Sequence, residues 1–269
     1  MRVCIELHSD RPQLLTWDYR YPIAGWLYRT IGRIAPEYAT FLHQSGYPLD
    51  QHRRTRLFTF ALRVENARGT SQGLMLDRRS RVHLLISSPI HNHFVRAVLE
   101  AILAEPVVEI VFPPHRLRWQ IEQVRAVPRP VFGEHVVARL LSPLVVSVPG
   151  QRHPQYLRAL DERVPELLRI NALKKYRLVT AAAPRGTIAL TVDRAYVERS
   201  GGELSRRISS LHRIKVGTPA EIAIRAFTAP IHISGDPDII AVLYDCGIGE
   251  KNSMGFGCWE PLDADQSCP

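Results

Sequence analysis

The first 112 residues alternate between the two-residue hydrophobic period of a strand and the 3.6-residue period of a helix. In chain order, the predicted elements are a strand at 2–8, a helix at 22–34, strands at 57–64 and 81–87, a helix at 89–104 and a strand at 107–112. The apolar stripe of the first helix consists of Ile23, Leu27, Ile31 and Ile34. The order β-α-β-β-α-β is that of a ferredoxin-like, or RRM-like, domain.

A proline-rich stretch at 127–135, VPRPVFGEH, is typical of a linker, and a looser copy of the same pattern follows it. The predicted elements are a strand at 136–148, a helix at 156–175 interrupted near Pro165, strands at 187–192, 205–216 and 220–234, and a short helix at 236–245. We therefore predict an α+β protein with one domain at 1–128 and a second at 129–269.

The charge balance favours an anionic partner. Lysine and arginine number 35 against 26 acidic residues, which gives a net charge of +9. Most of the excess is arginine, whose planar guanidinium pairs with phosphate through two hydrogen bonds and stacks on bases. The same charge on a surface that binds nothing remains the alternative. With 45% hydrophobic and 23% charged residues, the composition is that of a globular protein and excludes a disordered or fibrous chain.

The sequence predicts no metal and no cofactor. Its four cysteines lie far apart, without a C-x-x-C pair. Asp236 and Asp238 flank Pro237 and are typical of a turn and a helix cap, and the clustered carboxylates of a metal-dependent nuclease are absent from the sequence. No segment approaches the roughly 18 consecutive apolar residues of a membrane span. We expect a reducing, cytoplasmic location and no membrane partner.

The sharpest local motif is glycine-rich, with paired glycines on each side of a five-residue stretch that contains Lys251. The glycines are Gly247, Gly249, Gly255 and Gly257. Glycine allows positive φ and close approach of a backbone, so successive N–H groups can face one phosphate, with Lys251 adding a charge. A hairpin with glycines at its corners is the alternative. The spacing fits neither a dinucleotide-binding fingerprint nor a P-loop.

This motif resembles the C-terminal signature of the CRISPR-associated endoribonucleases that process precursor repeat RNA, members of the RAMP superfamily. Two further segments are similar to that family. The run from Ile23 through Tyr28 to His43, followed by the strand Arg56-Leu57-Phe58-Thr59, resembles its catalytic region, and Leu141-Ser142-Pro143 resembles the strand that opens its second domain. The resemblance covers nearly the whole chain.

The resemblance implies two tandem ferredoxin-like domains with antiparallel sheets. It also implies metal-independent cleavage within the repeat, by attack of a ribose 2′-hydroxyl that leaves a 2′,3′-cyclic phosphate and a 5′-hydroxyl. His43 matches the family's catalytic histidine, Tyr28 a tyrosine of some members, and Arg56 a position where some members carry lysine. The insertion-like segment SGYPLDQHRRTR lies between His43 and the strand, so Arg53 and Arg54 are alternatives to Arg56.

The chemistry requires the same residue types. A 2′-hydroxyl is a weak nucleophile and the 5′-oxygen a poor leaving group, so both benefit from proton transfer, and histidine titrates near neutral pH. A cation then meets the charge on the phosphorane oxygens, which arginine does with two donors. A packing role for Tyr28 stays open. The rival histidines are His8, His52, His91 and His93.

The predicted RNA-binding set combines the motif with nearby basic residues. Its members are Gly247, Gly249, Lys251, Gly255, Gly257 and Arg54, together with Arg206, Arg207, Arg213 and Lys215 of a predicted basic hairpin at 199–215. For any one basic cluster, a solvated surface is the alternative. The expected partner is CRISPR repeat RNA, and other CRISPR effector-complex proteins and a second copy of the chain are further candidates. A non-catalytic protein that binds CRISPR repeat RNA is the alternative function.

Overall fold

The computed structural model describes residues 1–51, 53–112, 115–151 and 153–262. The N-terminal part contains three α-helices and a π-helix, His91–Val95. Its labelled elements are β1 Arg2–His8, β2 Gln13–Thr16, α1 Arg20–Ile34, α2 Pro36–Gln44, β3 Tyr47–Pro48, β4 Arg54–Thr55, β5 Thr59–Glu65, β6 Arg68–Gly69, β7 Gly73–Leu76, β8 Arg81–Ser87, α3 Arg96–Ala104, β9 Val107–Phe112 and β10 His115–Val127.

The main N-terminal sheet has the order β5-β8-β1-β10-β9, with every neighbouring pair antiparallel. In a ferredoxin-like sheet the last strand lies beside the first. Here β10 occupies that place, and β9, which the sequence predicts as the last strand, lies at the edge. The main sheet therefore has one strand more than predicted, because β9 and β10 form a hairpin whose second strand pairs with β1 from Arg2 to His8.

Helices α1 and α3 cover one face of this sheet and close the N-terminal core. Ile23, Leu27 and Ile31 are fully buried there, as the helical spacing predicts. Ile34, predicted on the same stripe, is 39% exposed because α1 ends at this residue. Apolar burial of this kind stabilises a domain by about 25 cal/mol per Å². The buried stripe fixes which face of α1 remains outside the core.

The C-terminal part repeats the ferredoxin-like arrangement. Its elements are β11 His135–Leu140, β12 Ser147–Val148, β13 Gln155–Tyr156, α4 Val164–Thr180, β14 Ile188–Val192, α5 Arg194–Arg199, β15 Ser209–Ile214, β16 Ile222–Phe227, β17 Ile231–Gly235, α6 Pro237–Cys246 and β18 Trp259–Pro261. The main sheet has the antiparallel order β14-β17-β11-β18. The predicted α+β fold of two tandem ferredoxin-like domains is confirmed.

Several predicted elements in this half are wrong. The strand predicted at 136–148 is two strands, β11 and β12, and the strand predicted at 220–234 is also two, β16 and β17. Pro165 lies in the first turn of α4, where the missing N–H costs nothing, so the helix begins there and is not interrupted. The basic hairpin predicted at 199–215 is displaced along the chain: α5 and a run of turns occupy most of that range, and the hairpin consists of β15 and β16. Lys215 follows β15 with a positive φ of 55°.

The two domains are joined by buried polar contacts. Arg2, which is 1% exposed, donates to the carbonyl oxygens of Trp259 and Tyr244 at 2.9 and 2.8 Å and stacks on the Tyr244 ring. Lys174 pairs with Asp50 at 2.9 Å across the same junction. The predicted boundary after residue 128 falls between β10 and β11. Every helix within the described ranges is too short or too polar to cross a membrane.

Candidate functional site

A cleft of about 1230 Å³ lies between the two domains. Its walls come from α1, the end of α2, the segment around β4, the glycine-rich segment and the end of the β15–β16 hairpin. The predicted residues that line it are Tyr28, His43, Arg54, Arg56, Gly249, Lys251, Arg213 and Lys215. The cleft thus brings together residues that lie up to 223 positions apart, from Tyr28 to Lys251. Gly247, Gly255, Gly257, Arg206 and Arg207 are not among its lining residues.

His43 and Tyr28 meet at one end of the cleft. His43 is exposed in the last turn of α2, and Tyr28 is half-buried on α1. Their ring centroids lie 6.1 Å apart in an edge-to-face arrangement, and Tyr28 packs on its other side against Phe58. Tyr28 therefore belongs both to the core and to the cleft. Burial raises the pKa of its hydroxyl, while Arg56 and Ser253 lower it through charge and hydrogen bonds.

Arg56 connects this pair to the backbone of α2. Its Nε donates to the carbonyl oxygen of Leu42 at 2.9 Å, and its Nη2 donates to that of His43 at 3.2 Å. A guanidinium at this place satisfies carbonyls that the end of a helix leaves unpaired and opposes the negative end of the helix dipole. Because its charge also acts on the Tyr28 hydroxyl and lowers the pKa of that group, Arg56 links both ring-bearing residues.

The structure separates the three alternative arginines. Arg53 pairs with Asp50 at 2.9 Å and with Glu250 at 3.4 Å, so its charge is already neutralised. Arg54 is exposed, lines the cleft and has no ion pair within the described residues. Arg56 is engaged by carbonyls and by Tyr28. Arg54 is thus the arginine whose guanidinium remains available to an anion.

The three rival histidines within the described ranges lie outside the cleft. His43 is the only histidine among the lining residues of the cleft in the described ranges. His8 faces Glu122, with Nδ1 3.9 Å from a carboxylate oxygen, and His93 packs beside the ring of Tyr38. His91 precedes α3, outside the cleft, and His52 lies outside the described residues.

The glycine-rich segment requires glycine because its backbone packs closely inside the protein. All four have positive φ and are buried. A Cβ on Gly255 would lie 2.6 Å from the Phe60 ring, and one on Gly249 would lie 2.6 Å from the carbonyl oxygen of Val145. Neither gap leaves room for a side chain. The RNA contact predicted for these glycines stays a prediction. The close contacts inside the protein are by themselves sufficient to require glycine at these positions.

A buried lysine holds this loop from the inside. Lys175 on α4 is 1% exposed, and its Nζ donates to the carbonyl oxygens of Gly247 and Gly249 and to Oδ1 of Asn252, at 2.7–2.8 Å. Burial lowers its pKa to about 8. The sequence carries a sign of this role: Lys175 continues the buried stripe of Leu168 and Ala172 at helical spacing.

The β15–β16 hairpin crosses from the second domain to the first. The backbone N–H of Arg213 donates to Asp18 at 2.9 Å, and Nη1 of Arg20 lies 3.2 Å from Nδ1 of His212. Burial and the neighbouring Arg20 lower the pKa of His212 to about 3, so its imidazole is neutral at pH 7. A neutral ring accepts from Arg20. This contact fixes the hairpin that brings Arg213 and Lys215 to the cleft.

Lys251, in the glycine-rich segment, also lines the cleft and lies in the left-handed region with φ of 55°. Its Nζ is 5.8 Å from the centroid of the Tyr156 ring, and burial lowers its pKa. Within the described ranges there is no group of three histidine, cysteine or acidic residues able to hold a metal ion. The chemistry available in the cleft is proton exchange by His43 and Tyr28 beside several cations.

Two family models together match most of the chain. One, described as "CRISPR associated protein Cas6, C-terminal", matches residues 127–261, and the other, "CRISPR-associated protein Cas6, N-terminal", matches residues 14–123. The chain is 22% identical to "CRISPR-associated endoribonuclease Cas6 1" of Methanocaldococcus jannaschii, over 96% of this chain and 91% of that protein. It is 23% identical to "CRISPR-associated endoribonuclease Cas6" of Pyrococcus furiosus, over 96% of this chain and 88% of that protein.

Solved structures share the fold. "CRISPR associated protein Cas6" superimposes with a TM-score of 0.74 at 22% identity, over 98% of this chain and 99% of that one. A structure described as "An RAMP protein binding different RNA substrates" gives the same TM-score and identity over 98% and 100%. At such identities the likeness shows the fold, and it agrees with the two antiparallel sheets described above.

Proposed function

Because the chain belongs to the Cas6 family of CRISPR-associated proteins, we propose that it is an endoribonuclease that binds precursor CRISPR RNA and cuts it within the repeat. Two relatives that align over 96% of the chain are named CRISPR-associated endoribonucleases. The single observation that carries the proposal is the position of His43, exposed on the cleft wall beside Tyr28 and among cations. A cleft of this charge suits a polyanion.

In the proposed reaction the ribose 2′-oxygen attacks the adjacent phosphorus. A P–O2′ bond forms, the P–O5′ bond breaks, and the products end in a 2′,3′-cyclic phosphate and a 5′-hydroxyl. The 2′-hydroxyl loses one proton and the 5′-oxygen gains one, so no other reactant is consumed. His43 exchanges one of these protons, as general acid or base, and no metal ion takes part.

The other two predicted catalytic residues assist His43. Tyr28 presents its hydroxyl at the same end of the cleft and orients the imidazole by edge contact. Arg56 holds the carbonyl of His43 and offers positive charge to the phosphorane oxygens. Arg54, exposed and without an ion pair in the described ranges, binds the phosphate backbone next to them.

The RNA follows the cleft between the proposed domains 1–128 and 129–269. Lys251 from the glycine-rich segment, and Arg213 and Lys215 from the hairpin, bind its phosphates. The glycine-rich loop shapes this path, and its backbone N–H groups contact the RNA. Arg206 and Arg207, exposed before β15, bind flanking RNA outside the cleft. Association with other CRISPR effector-complex proteins and with a second copy of the chain stays a prediction.

Product analysis tests this function. The purified protein is incubated with the repeat RNA of its own genome in EDTA, and both product ends are mapped. We expect a single cut within the repeat, a 2′,3′-cyclic phosphate upstream and a 5′-hydroxyl downstream. Activity that disappears in EDTA and returns with a divalent ion contradicts the mechanism, and tight binding without any cut supports a non-catalytic RNA-binding protein.

A further inference from the structure

One side of α1 faces the cleft along two helical turns. Tyr21, Gly25 and Tyr28, at spacings of four and three residues, all line it and lie on the same helix face. At 1.5 Å per residue, the backbone positions of Tyr21 and Tyr28 are roughly 10 Å apart. Tyr21 is therefore about one or two nucleotides from the phosphate proposed to react beside Tyr28.

Tyr21 is the only exposed phenylalanine, tyrosine or tryptophan among the lining residues of the cleft in the described ranges. Among the described side chains, the aromatic ones exposed by more than a third are Trp17 (47%), Tyr21 (37%) and Tyr196 (38%). Trp17 lies one turn before Tyr21, and its indole N–H donates to the carbonyl oxygen of Ser71 at 3.2 Å. Large rings left open to solvent beside a cleft are typical of a surface that a ligand covers.

Gly25 leaves a gap between the two tyrosines that is bordered by the end of the Arg29 side chain. A glycine inside a helix is about 1 kcal/mol less favourable than alanine, so its presence there has a cost. Packing does not require it, since a Cβ at Gly25 would have its nearest contact, 3.4 Å away, with the far end of the flexible Arg29 side chain. The absent side chain instead leaves a flat floor on the cleft-facing side of α1.

Cations surround this floor. Arg29 lines the cleft from α1, and Arg213 and Lys215 line it from the hairpin. Aromatic faces next to cations along one groove are the combination that binds single-stranded nucleic acid, because bases stack on the rings while phosphates pair with the cations. A base within a duplex has both faces covered by its neighbours and cannot stack on a protein ring.

We propose that Tyr21 and Gly25 form a nucleobase subsite, in which an unpaired base of the bound RNA stacks on the Tyr21 ring and lies over the open floor at Gly25. The inference rests on the proposed function, since the ligand is the same repeat RNA. It adds that the RNA is single-stranded on the Tyr21 side of the cut.

Binding of uncleavable repeat RNA, with one 2′-deoxy nucleotide at the scissile position, tests the subsite. Tyr21→Ala should weaken binding about tenfold, within the usual range for loss of one stacked base, and Tyr21→Phe should retain it. The matched control is Tyr196→Ala, which removes an equally exposed ring outside the cleft and should bind as the unmodified protein does. An RNA series with one abasic position each then locates the base: at one position the loss should match that of Tyr21→Ala, and the two losses should not add.

Gly25→Leu provides a second test, in which stability should stay equal or rise while RNA affinity falls. Leucine favours the helix, so the free energy of unfolding should stay equal or rise, while RNA binding should fall at least fivefold because the floor is filled. Equal affinities of the unmodified protein, Tyr21→Ala and Gly25→Leu for the repeat RNA overturn the subsite alone. An unmodified protein that binds no repeat RNA overturns the proposed function, and the subsite with it.

Discussion

The ammonium of Lys175 lies 2.7 Å from the carbonyl oxygen of Gly249, inside the protein and 74 residues away along the chain. Two further acceptors, the Gly247 carbonyl and the Asn252 amide oxygen, complete its three hydrogen bonds. An ammonium has three N–H donors, so donors and acceptors match. The conformation of the glycine-rich loop therefore depends on one buried cation that does not itself contact solvent.

Lys175→Met should destabilise the protein and weaken RNA binding together. Methionine fills a similar volume but leaves three buried acceptors unpaired, which we expect to cost about 3 kcal/mol of unfolding free energy. Urea unfolding and titration with uncleavable repeat RNA measure the two effects. Lys174→Met is the matched control, since the neighbouring lysine makes a partly exposed ion pair with Asp50 whose loss should cost less than about 1 kcal/mol. Equal effects of the two variants would contradict the role given to Lys175.

The stability contributed by Lys175 should depend on pH in a defined direction. Its folded-state pKa is lowered to about 8 from an ordinary value of 10.5. Between these two values the unfolded chain retains a proton that the folded protein has lost, so this group makes the free energy of unfolding rise with pH. Unfolding of the unmodified protein and of Lys175→Met at pH 7.5, 9 and 10 should show their difference shift in favour of the unmodified protein. A pH-independent difference would mean that burial does not perturb this lysine.

Gly255→Ala should lower the stability of the fold, and it should have no direct effect on RNA binding. The added Cβ meets the Phe60 ring, and the φ of 81° is itself unfavourable for alanine, so we expect a loss of about 2 kcal/mol in unfolding free energy. Gly133→Ala is the control, because a Cβ there has open space. If Gly255→Ala is as stable as Gly133→Ala yet binds RNA poorly, the glycine serves the RNA directly.

The sequence predicts elements well where hydrophobic periodicity is strong. β8 at Arg81–Ser87 and β9 at Val107–Phe112 begin and end at the predicted residues. Periodicity describes each element separately and contains no information on pairing partners. It therefore does not show that β10 intervenes between β1 and β9, nor that β15 and β16 leave the main sheet as a hairpin.

In the candidate site, too, the sequence predicts individual residues but not the contacts between them. The resemblance to the family of CRISPR-associated endoribonucleases nominates Tyr28 and His43, but their contact depends on how α1 packs against α2. The sequence favours Arg56 through the resemblance and leaves Arg53 and Arg54 as alternatives. Only tertiary contacts distinguish them, because the partners of Arg53 include Glu250, which is 197 residues away. Lys175 is missed for a similar reason, since its acceptors are backbone carbonyls of a distant loop.

Arg54 and Arg56 should fail in different ways when replaced. Arg56→Ala should lower the single-turnover cleavage rate about 100-fold and cost about 1 kcal/mol of stability, because Leu42 and His43 lose a donor. Arg54→Ala should leave stability unchanged, weaken RNA affinity and reduce the salt slope of binding by about one unit. The reverse pattern would assign the active-site cation to Arg54.

The central claim is that His43 exchanges a proton with RNA that supplies its own nucleophile. Single-turnover cleavage of repeat RNA in EDTA by the unmodified protein and by His43→Ala tests it most directly, with His232→Ala, an exposed histidine of β17, as the matched control. We predict a rate lowered by about 10²–10⁴-fold for His43→Ala at unchanged RNA affinity, and no change for His232→Ala. A substrate with one 2′-deoxy nucleotide before the scissile phosphate should remain uncut. Cleavage by His43→Ala at the unmodified rate, or cleavage of the deoxy substrate, would contradict the account.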